Sequence, residues 1–343
     1  MRTAFGAEFA VPAGYLNTPS IGIPPERVAD AVERAVHRWR TGADRAPDFD
    51  ECVHTSRHAF ARLIGVPGER VAIGASVSQL VAMIAAGLPD GTRVLTVRDE
   101  FTSVTFPFAA HARRGVTVTE VEPERLTGSV AGYDLVAVST VQSIDGGRAD
   151  LGALRAATEA AGVPVLLDVT QAAGWQPLAL DWADWVVGAG YKWLLSPRGA
   201  AWLAVRPDAL ERTVALAANW YAGENPWETV YGMPLRLAGA ARGLDLSPVW
   251  FAHAGAAVAL PYLAELDLEL VRAHCVGLAD ALLTRLGSPA PRGSAIVTLE
   301  GGDTAERLRA AGVTASVRAG RTRLGFHLYN TMDDVDRVSA TFE

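Results

Sequence analysis

Lysine is almost missing from this 343-residue sequence: Lys192 is the only one among 31 basic side chains, so arginine supplies the other 31 − 1 = 30. A GC-rich genome would favour arginine codons and so explain the thirty. It leaves the one lysine unexplained. Cysteine is also scarce. Two thiols, Cys52 and Cys275, cannot build the disulfide framework of a small secreted fold, and a reducing cytosol is expected. No apolar stretch approaches the roughly 20 residues of a membrane-spanning helix, and Glu8 interrupts the apolar run of the N-terminal "MRTAFGAEFAVPAG", which argues against a leader. A soluble cytoplasmic protein follows. The formal charge of −7, with no run of basic residues, gives no footprint for a phosphate backbone, so nucleic acid is excluded as an expected partner.

Half of the residues are apolar and a fifth are charged, a globular balance that would confine disorder to roughly the first dozen residues. Val28, Ala31, Val32, Ala35, Val36 and Trp39 recur at helical spacing and predict an amphipathic helix. Short apolar runs follow near residues 70, 92, 116, 133, 163, 185 and 200. Helical stretches separate many of them, such as "SQLVAMIAAGL" and "LGALRAATEAAG", each closing on a glycine suited to a left-handed cap. This alternation predicts an α/β fold with a largely parallel sheet covered on both faces. Beyond about residue 207 the rhythm changes to an aromatic-rich segment and then a long helical region from about 248 to 286. The final strand, helix, strand and closing helix predict a smaller α+β domain. The boundary is placed between a large domain, 1–235, whose N-terminal segment could pack on the small domain, and a small domain, 236–343.

Ligands of open α/β sheets gather beyond the carboxyl ends of the strands. Asp168 closes "VPVLLD", with Gln171 just after it. Tyr191 and Lys192 follow "WVVGAG", and "VAIGASVSQ" turns from strand into helix through Val77 and Ser78. These residues imply an anionic ligand between a carboxylate and an amine. A lysine amine can condense with an aldehyde, whereas a guanidinium stays protonated and cannot. The competing reading of Lys192 as an ordinary surface ammonium fits poorly with its place between two apolar strands. Cys52, His54 and His58 lie close together in "CVHTSRH", but they read as a helix surface without further ligands, and no metal site is expected. A dinucleotide fingerprint is also absent, because "GAG" precedes Lys192 and does not open a strand-turn-helix unit.

"LLDVTQAAGWQPL", "DWVVGAGYKWLLSPRGAAWLAVRP" and "TRLGFHLYNTMDDVDRV", in that order, strongly resemble the class V group of pyridoxal-phosphate enzymes, which includes cysteine desulfurases, kynureninases and isopenicillin N epimerase-like proteins. The resemblance runs over nearly the whole chain. It implies fold type I, with a seven-stranded, mostly parallel sheet, and pyridoxal 5'-phosphate as cofactor. Lys192 would form the Schiff base and move protons, Asp168 would pair with the pyridine nitrogen, and Gln171 would face the phenolic oxygen. The phosphate would be held at Val77 and Ser78 with help from Tyr191, Phe101 would stack on the ring, and Ser143 would lie near the cofactor. Arg323 matches the family pattern R-x-S-x-x-x-Y-N and would grip the substrate α-carboxylate, although Gly325 stands where relatives carry a small polar residue. Relatives are homodimers with shared active sites, and Trp220 and Ser247 resemble segments that reach the neighbouring subunit's phosphate.

A small-molecule amino acid is therefore the expected substrate. The segment before Arg323, "GVTASVRAGRTRLGF", contains no cysteine, which disfavours persulfide formation. The resemblance favours a Cβ lyase, of carbon-sulfur lyase or kynureninase type, with a class V aminotransferase as the alternative. Epimerisation and a non-catalytic relative rank behind both.

Overall fold

The computed structural model describes residues 1–288 and 293–342. Among these residues, twelve strands form three sheets. An N-terminal hairpin joins β1 (Arg2–Ala4) and β2 (Ala7–Phe9). The central sheet contains β3 (Val71–Gly74), β4 (Arg93–Val97), β5 (Thr117–Val121), β6 (Leu135–Ser139), β7 (Val165–Asp168), β8 (Trp185–Ala189) and β9 (Ala201–Val205). Its order is β3-β9-β8-β7-β6-β4-β5, and β9 alone runs against the rest. The strands are short and mostly buried throughout, with "VLLD" and "WVVGA" wholly inside, as expected for a sheet with both faces covered. The third sheet is antiparallel, in the order β10 (Ile296–Leu299), β12 (Arg321–Gly325), β11 (Ser316–Arg318). The seven-stranded, mostly parallel sheet and the smaller C-terminal α+β unit agree with the sequence reading.

Several local expectations need correction. The first dozen residues are ordered: Arg2 pairs with Asp334 at 2.6 Å, and Phe9 is fully buried edge-on to Tyr329. The predicted 248–286 helix is two, Trp250–Glu265 and Leu268–Arg285. The break comes at Asp267, whose carboxylate caps the second helix by accepting from the Glu269 and Leu270 amides. Strand β11 is only three residues long and had no alternation to reveal it. Gly162 takes the left-handed cap after Leu151–Ala161, but Gly87 does not. Gly87 lies inside the Val77–Gly87 helix, where a Cβ would come within 2.0 Å of the Arg212 carbonyl oxygen, so close packing is its reason for being glycine. The amphipathic helix spans Glu26–Arg40 and buries Val28 and Ala35, while Trp39 stays exposed against Phe251.

Candidate active site

The carboxyl ends of β3, β6, β7 and β8 converge on a cavity of ≈ 170 Å³. Its walls include Val77, Ser78, Phe101, Ser143, Asp168, Gln171, Tyr191 and Lys192. Eight residues named from the sequence, most of their roles implied by one family resemblance, meet in one place. A larger groove of ≈ 740 Å³ beside β10 holds Glu300 and Arg321, which lie 3.8 Å apart as an ion pair, but it contains no lysine, histidine or cysteine. The smaller cavity is the candidate site.

The Lys192 backbone is fixed on both sides. The Gly22 amide donates to the Tyr191 carbonyl at 3.0 Å, and His327 Nε2 lies 3.0 Å from the Trp193 carbonyl. A carbonyl can only accept, so Nε2 carries the proton; burial pushes the His327 pKa down to about 3 and keeps the ring neutral. The Lys192 side chain is buried, with Nζ 5.2 Å from the Phe101 ring centroid and 5.6 Å from that of Tyr191. Burial lowers its proton affinity. The Asp168 charge opposes that effect, while Arg323, Arg318 and Arg198 add to it. Asp168 is displaced the other way: burial raises its pKa and Glu100 adds to the rise, against the hydrogen bonds from Thr170 and the Lys192 charge. A buried amine that deprotonates easily thus shares a cavity with a buried carboxylate that wants a cationic partner.

At the opposite wall the helix Val77–Gly87 begins without a side-chain cap. Ser76 adopts the extended N-cap conformation, but its hydroxyl accepts from no helix amide. The first-turn amides of an eleven-residue helix therefore face the cavity unclaimed, a natural cradle for a phosphate. Arg198, 5.2 Å from the Tyr191 ring centroid, lines the same wall. It lies six residues after Lys192 and went unnoticed among thirty arginines.

Gln171 has its amide fully engaged. It donates to the Pro19 carbonyl and the Ser143 hydroxyl, each at 3.0 Å, and accepts from Trp193 Nε1 at 2.7 Å. Arg323 lies outside the cavity wall and is fully buried. One terminal nitrogen donates to the Ser143 carbonyl and, at 2.9 Å, to its hydroxyl; the other donates to the Ser20 hydroxyl at 3.0 Å. Its Nε has no partner. Gly325 accounts for its own departure from the family pattern, because a Cβ there would come within 2.4 Å of the Pro19 ring. The glycine admits the 17–23 loop, and that loop supplies Ser20 to Arg323. Glu100 is a further residue the sequence reading missed. Its buried carboxylate accepts from the Phe101 and Ser139 amides, the Ser139 hydroxyl and the Gln142 amide, which fixes the segment carrying the Phe101 ring. Trp220 packs against Trp227 and Tyr221, and Ser247 is exposed; neither lines the cavity of its own chain.

Residues 24–294 match the model of the aminotransferase class-V family. The chain belongs to that family. Its cofactor is pyridoxal phosphate, and the cavity suits it: an uncapped helix start for the phosphate, a buried carboxylate free of any ion pair for the ring nitrogen, and an amine with lowered proton affinity for the aldehyde. A kynureninase from Deinococcus radiodurans is 28% identical over 82% of this chain and 73% of its own length. An uncharacterized aminotransferase of Bacillus subtilis is 26% identical over 91% of both chains. Among solved structures, a cystine C-S lyase in complex with its product cysteine persulfide superposes with a TM-score of 0.85 at 18% identity, over 96% of this chain and 97% of that one. At that identity the likeness concerns the fold. The chain is a class V pyridoxal-phosphate enzyme. Among the described residues no helix is long and apolar enough to cross a membrane.

Proposed function

We propose that the enzyme is a lyase acting at Cβ of an α-amino acid. Lys192 and Asp168 meet in one cavity that also holds an uncapped helix N-terminus, which supports pyridoxal-phosphate chemistry, and the absence of a cavity-lining cysteine among the described residues favours the lyase within it. When bound, pyridoxal phosphate supplies an aldehyde and an electron-accepting ring that weakens the bonds at the substrate Cα. The residues around it decide which bond breaks. The Val77 and Ser78 amides and the Ser78 hydroxyl would bind the phosphate, with Tyr191 beside them. Asp168 would keep a proton on the ring nitrogen, Phe101 would pack on the ring and the Ser143 hydroxyl would lie near it, while Gln171, its amide already engaged by Pro19, Ser143 and Trp193, would support Ser143 and not bond the phenolic oxygen. Arg323 takes the substrate carboxylate through its guanidinium fork, which orients Cα toward Lys192. The Lys192 amine would then take the Cα proton, and the Cβ substituent would leave with the electron pair of its bond to Cβ, taking up a proton from the Lys192 ammonium or from water.

Cysteine chemistry favours a lyase over a persulfide-forming desulfurase. Cys275 is fully buried in the Leu268–Arg285 helix with its thiol pKa pushed up, and Cys52 lies on the Asp50–Ile64 helix. Neither lines the cavity. The Bacillus subtilis relative favours the alternative, transamination. We further infer a cytoplasmic homodimer, with the domain boundary near residue 235 and with Trp220 and Ser247 reaching the partner's site. The exposure of Tyr231, Met233 and Leu235, at 88%, 84% and 62%, supports a covered surface there.

The deciding experiment screens amino acids with the purified holoenzyme. Ammonia and a keto acid released continuously without a second substrate support the lyase. A single turnover that stops at the pyridoxamine form, and resumes only on adding a keto acid, would establish the transaminase instead. Borohydride reduction should fix cofactor to the wild type and not to Lys192→Ala; absence of the wild-type adduct would remove the whole reading.

A further inference from the structure

Two guanidiniums meet at one hydroxyl beside the cavity. Ser20 Oγ accepts from Arg323 at 3.0 Å and from Arg318 at 3.4 Å. Among the described residues neither arginine forms an ion pair with an acidic side chain, although most of the protein's close ion pairs use arginine. The register of β11 against β12 sets Ser316 directly opposite Arg323, and Arg318 is two residues from Ser316. All three side chains therefore share one face of the hairpin. On that face Ser316 Oγ is buried without a partner, as is Arg323 Nε. The turn at Ala319 and Gly320, both at positive φ, fixes the base of the Arg318 side chain. Arg318 is electrically close to the site, because its charge lowers the proton affinity of both Arg323 and Lys192.

The cations here outnumber the anions so far assigned. The cofactor phosphate has the open helix start and Arg198, and one α-carboxylate satisfies Arg323. Arg318, exposed and held by the Val317 carbonyl at 2.8 Å but facing no carboxylate among the described residues, and the unpartnered Ser316 hydroxyl remain. We propose that Arg318, with Ser20 and Ser316, forms a second anion subsite beside Arg323 and selects amino acids whose side chain ends in a second acidic group, a carboxylate or an oxidised sulfur acid. This rests on the reading of Arg323 as the α-carboxylate residue. Arg318 acts as a specificity-determining residue, drawing the distal acid toward the hairpin and so setting which way Cβ points from the ring.

Succinate and butyrate, equal in carbon count and unable to react, separate the two roles when their dissociation constants are measured by calorimetry on the holoenzyme. The wild type should bind succinate about tenfold or more tightly than butyrate. In Arg318→Gln that ratio should fall to near one, and in Arg323→Gln both ligands should be lost. A succinate preference that persists in Arg318→Gln, or its absence from the wild type, overturns the subsite and leaves the reading of Arg323 in place. Undiminished butyrate binding in Arg323→Gln overturns the reading of Arg323 and this proposal with it.

Discussion

Arg323 donates from a single terminal nitrogen to both the carbonyl and the hydroxyl of Ser143, the hydroxyl bond measuring 2.9 Å across 180 residues of chain. The same hydroxyl accepts from Gln171. Its two lone pairs are thus shared between the arginine read as the substrate anchor and the glutamine read as the cofactor's neighbour. Ser143→Ala would leave one buried Gln171 N–H without an acceptor and remove one of the two bonds that aim this nitrogen. We expect a stability loss of about 1–3 kcal/mol and a KM for the amino acid raised about threefold to tenfold, with a smaller change in kcat. Thermal melts and steady-state kinetics on the variant check this, and unchanged values of both would show the hydroxyl to be incidental.

Lys192 gives the cofactor-free protein a distinct pH signature. Between its lowered native pKa and the ordinary lysine value of 10.5, the unfolded chain holds a proton that the native chain has released. Stability therefore rises with pH across that window, and the full cost of burying an ammonium is present below it. Lys192→Met should stabilise the apoprotein at neutral pH by on the order of 1–3 kcal/mol. The gain should shrink as the pH approaches 10.5. Denaturant titrations of both proteins at several pH values test this; a variant less stable than the wild type at neutral pH contradicts it.

Asp168→Asn keeps the shape of the side chain and can still accept from the Thr170 amide, a bond of 2.7 Å in the native protein. It removes the charge that would hold a proton on the ring nitrogen. Borohydride should still fix cofactor to the variant, while kcat falls about 10²-fold or more. A variant of near wild-type kcat would mean that this carboxylate does not tune the ring.

Much of the site was legible because strand ends are legible. A buried run such as "VLLD" ends in a charge, and "WVVGAG" ends before the single lysine, so Asp168 and Lys192 announced themselves through local contrast. The parallel sheet followed from the alternation of strands and helices. What escaped depends on distant partners. The N-terminal hairpin reads as a polar, frayed start until Arg2 meets Asp334, 332 residues away. Ser20 and Pro19 gain their roles only when the loop folds over β12, and Arg198 is one of thirty. Glu100 looks like a surface acid, and the four donors that bury it come partly from Ser139 and Gln142, about forty residues on.

Gly325 joins these distant contacts, and it yields a direct test of the loop. The family pattern that this segment resembles has a small polar residue at this position, so Gly325→Ser would restore that pattern. Here the added Cβ would come within 2.4 Å of the Pro19 ring carbons, far inside contact distance. The 17–23 loop must move outward, taking Ser20 from Arg323 and the Pro19 carbonyl from Gln171. Overpacking of this kind costs about 1–3 kcal/mol, and the freed guanidinium loses its aim. Gly325→Ser should therefore lower the melting temperature and raise KM for the amino acid, and because Gly22 of the same loop holds the Tyr191 carbonyl, cofactor capture at Lys192 should slow as well, although the helix start and Asp168 lie elsewhere in the cavity. If melting temperature and KM both stay at wild-type values, the loop does not depend on the glycine, and the support of Arg323 by Ser20 is not what orients the substrate.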